Sequence, residues 1–177
     1  VDLDWIGADY AGGTDAIVAH LHDFGHRIVG YLGDADPREP QADREAGFRA
    51  AVEARGMRVA GLTRLAPGVD ATGAVTEALQ RGATALLAET ADLARAIEAA
   101  AGSRGLAVPA DLSLAVLGES MSQGDGDERF TRFAIPREEM GRRAVDVLIG
   151  LLDREPEGPV QELLPCDFRK GETTGPA

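Results

Sequence analysis

Period-3.6 apolar stripes and short buried apolar runs alternate along this chain almost from end to end. That alternation confines the fold to βαβ units built around a mainly parallel sheet, an α/β three-layer sandwich. The run Ile28, Val29, Tyr31, Leu32 is β-branched and aromatic, closes on Gly33-Asp34, and predicts a buried strand over 27–32. "TALLA" at 84–88, "LSLAVLG" at 112–118 and Phe130 to Ile135 read the same way, as does Val59 to Leu65. Between them fall helices: 12–24 with Ile17, Leu21 and Phe24 in its stripe, and 41–55 with Arg44, Phe48, Ala51 and Arg55 on one face. Asp70 is expected to cap a helix running to Arg81-Gly82 after a Pro67-Gly68 turn, and Thr90 an alanine-rich helix. Pro136 opens a last helix, with Glu138/Arg142 and Glu139/Arg143 spaced as i, i+4 pairs and Met140, Ala144, Val147 and Leu151 pointing inward. Leu163, Leu164 and Phe168 predict one final short strand. The 177 residues suffice for one domain, or for two small lobes that share strands.

All three histidines, His20, His22 and His26, lie within "HLHDFGHRIVGYLGD". His22 and His26 stand four apart, the spacing at which one helix face offers two ligands to zinc. Gly25 separates them: a glycine after the apolar series is where a helix takes its left-handed cap, which puts His26 beyond the helix. The only cysteine, Cys166, is remote in sequence and has no partner motif. The expected reading is helix, glycine cap and buried strand, with no metal site. Asp125-Gly126-Asp127 lacks the remaining acidic positions of a calcium loop.

A net charge of −12, with basic residues scattered, argues against a nucleic-acid surface, because phosphate binding needs clustered Lys and Arg. One cysteine cannot make an internal disulfide and fits a reducing, cytoplasmic setting. No apolar run approaches the roughly 18 residues of a membrane span, and no signal peptide is visible.

In an open parallel sheet, ligands bind beyond the carboxyl ends of the strands. The loops there carry Asp34, Asp36, Arg44, Asp70, Glu89, Thr90, Glu119, Ser120 and Asp125. No nucleophile elbow, phosphate loop or zinc-protease motif occurs, so an enzyme is not expected and no cofactor is implied. Glu89 and Asp92 could serve as acid and base, but carboxylates at loop–helix junctions are more often helix caps. Arg44 shares a helix stripe with Phe48 and Ala51, where a guanidinium is costly to bury alone, and it sits where the ligand crevice should open. Its planar fork suits hydroxyls or a carboxylate. The competing expectation is a structural tie to Asp34 or Asp9.

Taken in order, the residues resemble the effector-binding domain of the LacI/GalR transcriptional regulators, which is similar to the periplasmic sugar-binding proteins. Asp9-Tyr10-Ala11-Gly12-Gly13 resembles that family's D-N-x-x-G helix start. His20-Leu21 with Gly25-His26-Arg27-Ile28 resembles its "HL…GHR-I", and Arg44-Glu45-Ala46-Gly47-Phe48 its R-x-x-G-[FW]. Val108 to Leu114 resembles "VPxDLSV", and Thr131, Ile135-Pro136 and Glu139 to Ala144 resemble "TTV…P…ELGRRA". The resemblance implies a periplasmic-binding-protein-like fold of type I. Residues 1–130 would be mainly the second lobe, including the crossover helix 12–24; residues 131–177 would return to the first lobe and end in a crossover strand.

It further implies a homodimeric sensor of a small, sugar-like molecule, acting on DNA through a helix-turn-helix outside this chain. Asp9 and Arg44 match effector-contacting positions. Thr90-Ala91 stands where the family has Asn-Asp, and Gly118-Glu119 where it has an aspartate pair, which makes Asp9, Arg44, Thr90 and Glu119 the expected ligand-binding set. A solute-binding protein of a sugar transporter shares the fold and is the alternative, ahead of an α/β enzyme; "GHRIV", "REAGF" and "EEMGRRA" favour the regulator.

Overall fold

The computed structural model describes residues 3–35, 39–66, 68–118, 127–153 and 158–177. Its elements, in chain order, are β1 (Trp5–Asp9), α1 (Tyr10–Asp23), β2 (Ile28–Asp34), α2 (Glu39–Ala54), β3 (Arg58–Leu65), α3 (Thr72–Gln80), β4 (Ala85–Ala88), α4 (Ala91–Gly102), β5 (Ser113–Val116), β6 (Thr131–Ala134), α5 (Arg137–Asp153), β7 (Gln161–Pro165) and β8 (Asp167–Arg169). A six-stranded sheet has the order β3-β2-β4-β5-β6-β8, and β1 pairs with β7 in a separate two-stranded sheet. Every pairing is parallel except β6 with β8.

The central strands β2, β4 and β5 of the large sheet are buried on both faces, which is why they read as continuous apolar runs and not as alternating ones. Leu32, Leu86, Leu114 and Val116 point to one side, where Val75 and Ala78 of α3 and Ala94 and Ile97 of α4 cover them. Their strand neighbours Tyr31, Leu87, Ala115 and Phe133 point to the other, against Ile17 and Leu21 of α1 and Phe48 and Val52 of α2. This is the expected three-layer α/β/α arrangement. Helices α1 and α2 approach closely at Gly47, where an added Cβ would lie 2.7 Å from the Ala11 backbone.

Several local expectations change. The periodicity does not announce β1; it exists through its pairing with β7. The single terminal strand is two, β7 and β8, in different sheets, because the chain crosses between them at Cys166. Arg142 pairs with Glu139 and Asp146, while Arg143 reaches Glu162 of β7, a cross-element carboxylate that displaces the expected i, i+4 partners. Leu151 stays exposed. Asp70 accepts from the Thr72 amide and hydroxyl, although the cap residue is Ala71.

The histidine segment folds as read. Helix α1 ends at Asp23, Gly25 takes φ +95°, and His26 is buried at the base of β2. Among the described residues no group of three or more His, Cys, Asp or Glu is placed to hold a metal ion, and no helix is long and apolar enough to cross a membrane. The Asp125-Gly126-Asp127 loop begins outside the described residues.

Candidate functional site

A cleft of about 1000 Å³ opens at the carboxyl ends of β2, β3 and β4, where a parallel sheet places its loops and helix starts. Arg44, in the second turn of α2, is carried into it by the stripe that buries Phe48 and Ala51. Its guanidinium lies 4.6 Å from the Tyr10 ring centroid and 6.0 Å from that of Phe133. Only 8% of the residue is exposed, and its Nε has no hydrogen-bond partner. Burial lowers its pKa, against the raising influence of Tyr10, Glu89, Tyr31 and Cys166. It stays charged at any ordinary pH, held by a π face and a neighbouring carboxylate.

That carboxylate, Glu89, follows β4 directly and is 3% exposed. The Tyr31 hydroxyl donates to its Oε1 at 2.5 Å, and the Asp34 backbone N–H donates to its Oε2 at 2.7 Å. Burial first, and the Glu89 bond second, push the Tyr31 phenol far above its usual value, so it remains a donor. Glu89 thus ties the end of β2 to the end of β4 and places a fixed negative charge beside Arg44. It needs Gly33 opposite, since a Cβ there would lie 2.9 Å from Oε1.

Of the sequence-predicted residues, Asp34, Arg44, Asp70, Glu89 and Thr90 line the cleft. Thr90 also caps α4 by accepting from the Leu93 amide at 3.2 Å. Asp9 accepts from the Gly12 amide at 2.7 Å as the cap of α1, one residue before Tyr10, which does line the cleft. Glu119, with Asp36, Ser120 and Asp125, lies outside the described residues. Gly118 has a physical reason: at φ +132°, any Cβ there would lie 2.9 Å from the Arg44 Nη2. Glu89 and Asp92 do not form an acid–base pair, because Asp92 faces outward with Arg95 while both Glu89 oxygens are engaged. The sequence reading missed Tyr10 and the buried role of Glu89. Tyr10 could have been found as the aromatic at the first turn of α1, next to the capping aspartate.

The periplasmic binding protein-like domain matches residues 18–174. The chain belongs to this family. No curated protein matches it. Similar solved structures include a LacI family transcriptional regulator from Enterococcus faecium with bound ribose, 20% identical, with TM-score 0.78 and coverage of 98% of this chain and 66% of that one. A LacI family regulator from Bifidobacterium animalis subsp. lactis is 26% identical over 96% of this chain and 63% of its own, with TM-score 0.79. The lactose repressor bound to an anti-inducer is 22% identical, with TM-score 0.79 and coverage of 96% and 64%. The chain therefore has the periplasmic-binding-protein-like fold of these regulators and spans less than two thirds of the length of each.

Proposed function

We propose that this chain is the effector-binding and dimerisation region of a cytoplasmic LacI-type transcriptional regulator. In this reading it senses a small, sugar-like molecule and controls DNA binding by a helix-turn-helix domain outside the chain. The observation that carries the reading is Arg44: a buried guanidinium stacked on Tyr10, with an unpartnered Nε, in the cleft at the strand ends. Its N–H donors suit the oxygens of a polyol, the Tyr10 face suits the apolar C–H face of a sugar ring, and Glu89 supplies acceptor capacity beside them. In the full-length protein, Arg44→Ala is expected to weaken effector response by about 10- to 100-fold, the value of a charge-assisted hydrogen bond, while operator binding stays intact. Induction curves measured on that variant decide it; an unchanged curve removes Arg44 as the contact.

Residues 1–130 are assigned mainly to the second lobe, with the crossover helix 12–24, and residues 131–177 to segments returning to the first lobe and the final crossover strand. Supporting this, β1, β7 and α5 pack apart from the large sheet and leave Leu3, Trp5, Leu163, Leu148 and Leu152 exposed. Alone, residues 1–177 are expected to self-associate or bind a hydrophobic dye through that face. Light scattering showing a strict monomer at high concentration, with no dye binding, would count against the assignment.

A further inference from the structure

The helix starts of α1, α3 and α4 open at the strand ends, and a helix start attracts negative charge through its free N–H groups. Here the chain's own oxygens stand at those starts. The Gly12 amide donates to Asp9 at 2.7 Å on α1, and the Thr72 amide to Asp70 at 2.9 Å on α3. On α4 the Leu93 amide donates to Thr90 at 3.2 Å, and Asp92 occupies the same first turn. Among the described residues that line the cleft, Asp34, Asp70, Glu89 and Asp92 stand against Arg44 and Arg137. The lining is acidic, as the whole chain is with its net charge of −12.

The buried guanidinium of Arg44 is met in the same way, by Glu89. Tyr31 connects the two: its ring lies 5.0 Å from that of Phe48, the next residue of the Arg44 stripe, and its hydroxyl donates to Glu89 Oε1. The carboxylate cannot swing aside, because the Asp34 amide holds Oε2 and the Gly33 backbone closes on Oε1 without room for a Cβ. Each Glu89 oxygen keeps a second lone pair, and the Arg44 Nε–H has no acceptor. A hydroxyl both donates and accepts, so a polyol can satisfy the two groups together. A carboxylate or phosphate dianion on an effector only accepts. It would satisfy Arg44 and meet Glu89 as a fixed like charge, a cost that water repays only in part inside a cleft.

We infer that the cleft is built for an uncharged polyol, and that Glu89 is the specificity-determining residue that bars sugar phosphates and sugar acids from Arg44. This rests on the reading of the cleft as the effector site and adds the charge of the effector to it. Glu89→Gln separates the charge from the tie between β2 and β4. The glutamine oxygen can accept from the Asp34 amide while its nitrogen donates to the Tyr31 oxygen, so the tie remains and the negative charge is gone.

Inorganic phosphate is the probe, titrated at neutral pH and constant ionic strength into the full-length protein labelled at arginine Nε. In the unmodified protein the Arg44 Nε–H resonance should stay in place up to about 20 mM phosphate, beyond the millimolar range of weak anion binding. In Glu89→Gln it should shift and saturate, with affinity raised by at least about tenfold, and the response should vanish in Glu89→Gln/Arg44→Ala. Asp92→Asn removes an exposed carboxylate from the same lining and should change the response by less than about twofold, since exposed charges are screened. A shift of Arg44 with Glu89 in place, no gain in Glu89→Gln, or an equal gain in Asp92→Asn would each overturn the inference. Should Glu89→Gln not fold, the unmodified protein still decides: an Arg44 that answers to phosphate overturns the charge rule, and one that stays silent supports it. Failure of the effector reading itself shows elsewhere, as an unchanged induction curve for Arg44→Ala.

Discussion

Phe133→Ala is expected to destabilise the chain by about 3–5 kcal/mol, the range for deleting a fully buried phenylalanine. The ring has no exposed surface, and it fills the junction of β6, α1 and the crossover after β7. Gly13 on α1 is a glycine for this reason, since a Cβ there would lie 2.9 Å from the ring and 3.0 Å from the Cys166 Cβ. With α1 approaching so closely, the backbone is pinned on both sides and cannot collapse into the space left behind, which places the cost towards the upper part of that range. The ring also stands 6.4 Å from Tyr10 and underlies Arg44, so the truncation should loosen the cleft as well as the core. Phe133→Leu, which keeps most of the volume, should lose less than half as much. Urea denaturation monitored by circular dichroism supplies both numbers; a loss under about 1.5 kcal/mol for the alanine variant would mean that the site relaxes and that Phe133 is not the wedge described.

Strands β2, β4 and β5 were legible because each is a nearly continuous apolar run buried on both faces, a property of the segment itself; β3 and β6, only partly buried, were legible from their β-branched and aromatic residues. Trp5–Asp9 carried no such mark: it is short, contains a glycine and an aspartate, and becomes a strand by pairing with Gln161–Pro165 at the other end of the chain. The same non-local logic splits Leu163, Leu164 and Phe168. Leu164 sits in β7 beside Ala8, while Phe168 sits in β8 beside Phe133, and nothing in "LLPCDF" says that two sheets part at Cys166. Arg143 was assigned an intrahelical partner because i, i+4 spacing is visible in one dimension; Glu162, on a strand 19 positions away, is not.

In the site, Arg44 could be read because an arginine inside a helix's apolar stripe is anomalous by local pattern alone. Glu89 could not. A glutamate before a helix start looks like an ordinary first-turn acid, and its burial is decided by Tyr31 and the Asp34 amide of β2. The fold was therefore recovered further than the cleft, since patterning reports what a segment buries and not which remote group meets it.

Glu89→Ala should cost about 3–5 kcal/mol, as expected when one member of a buried charged network is removed and its partners remain. The Tyr31 hydroxyl and the Asp34 N–H both lose their acceptor, and Arg44 loses a carboxylate whose charge favours its own. Each unsatisfied donor carries its own desolvation penalty, so the loss exceeds what a single neutral hydrogen bond would give. Tyr31→Phe alone removes one donor and leaves Glu89 held by the Asp34 amide, for about 1–2 kcal/mol. Combined, the two changes should cost less than their sum by at least about 1 kcal/mol, because the phenylalanine no longer presents a hydroxyl for the missing carboxylate to satisfy. Urea unfolding of the four members of this cycle measures the coupling. Strict additivity would show that the 2.5 Å contact between Tyr31 and Glu89 contributes nothing to the folded state, and that Glu89 is not the tie between the ends of β2 and β4.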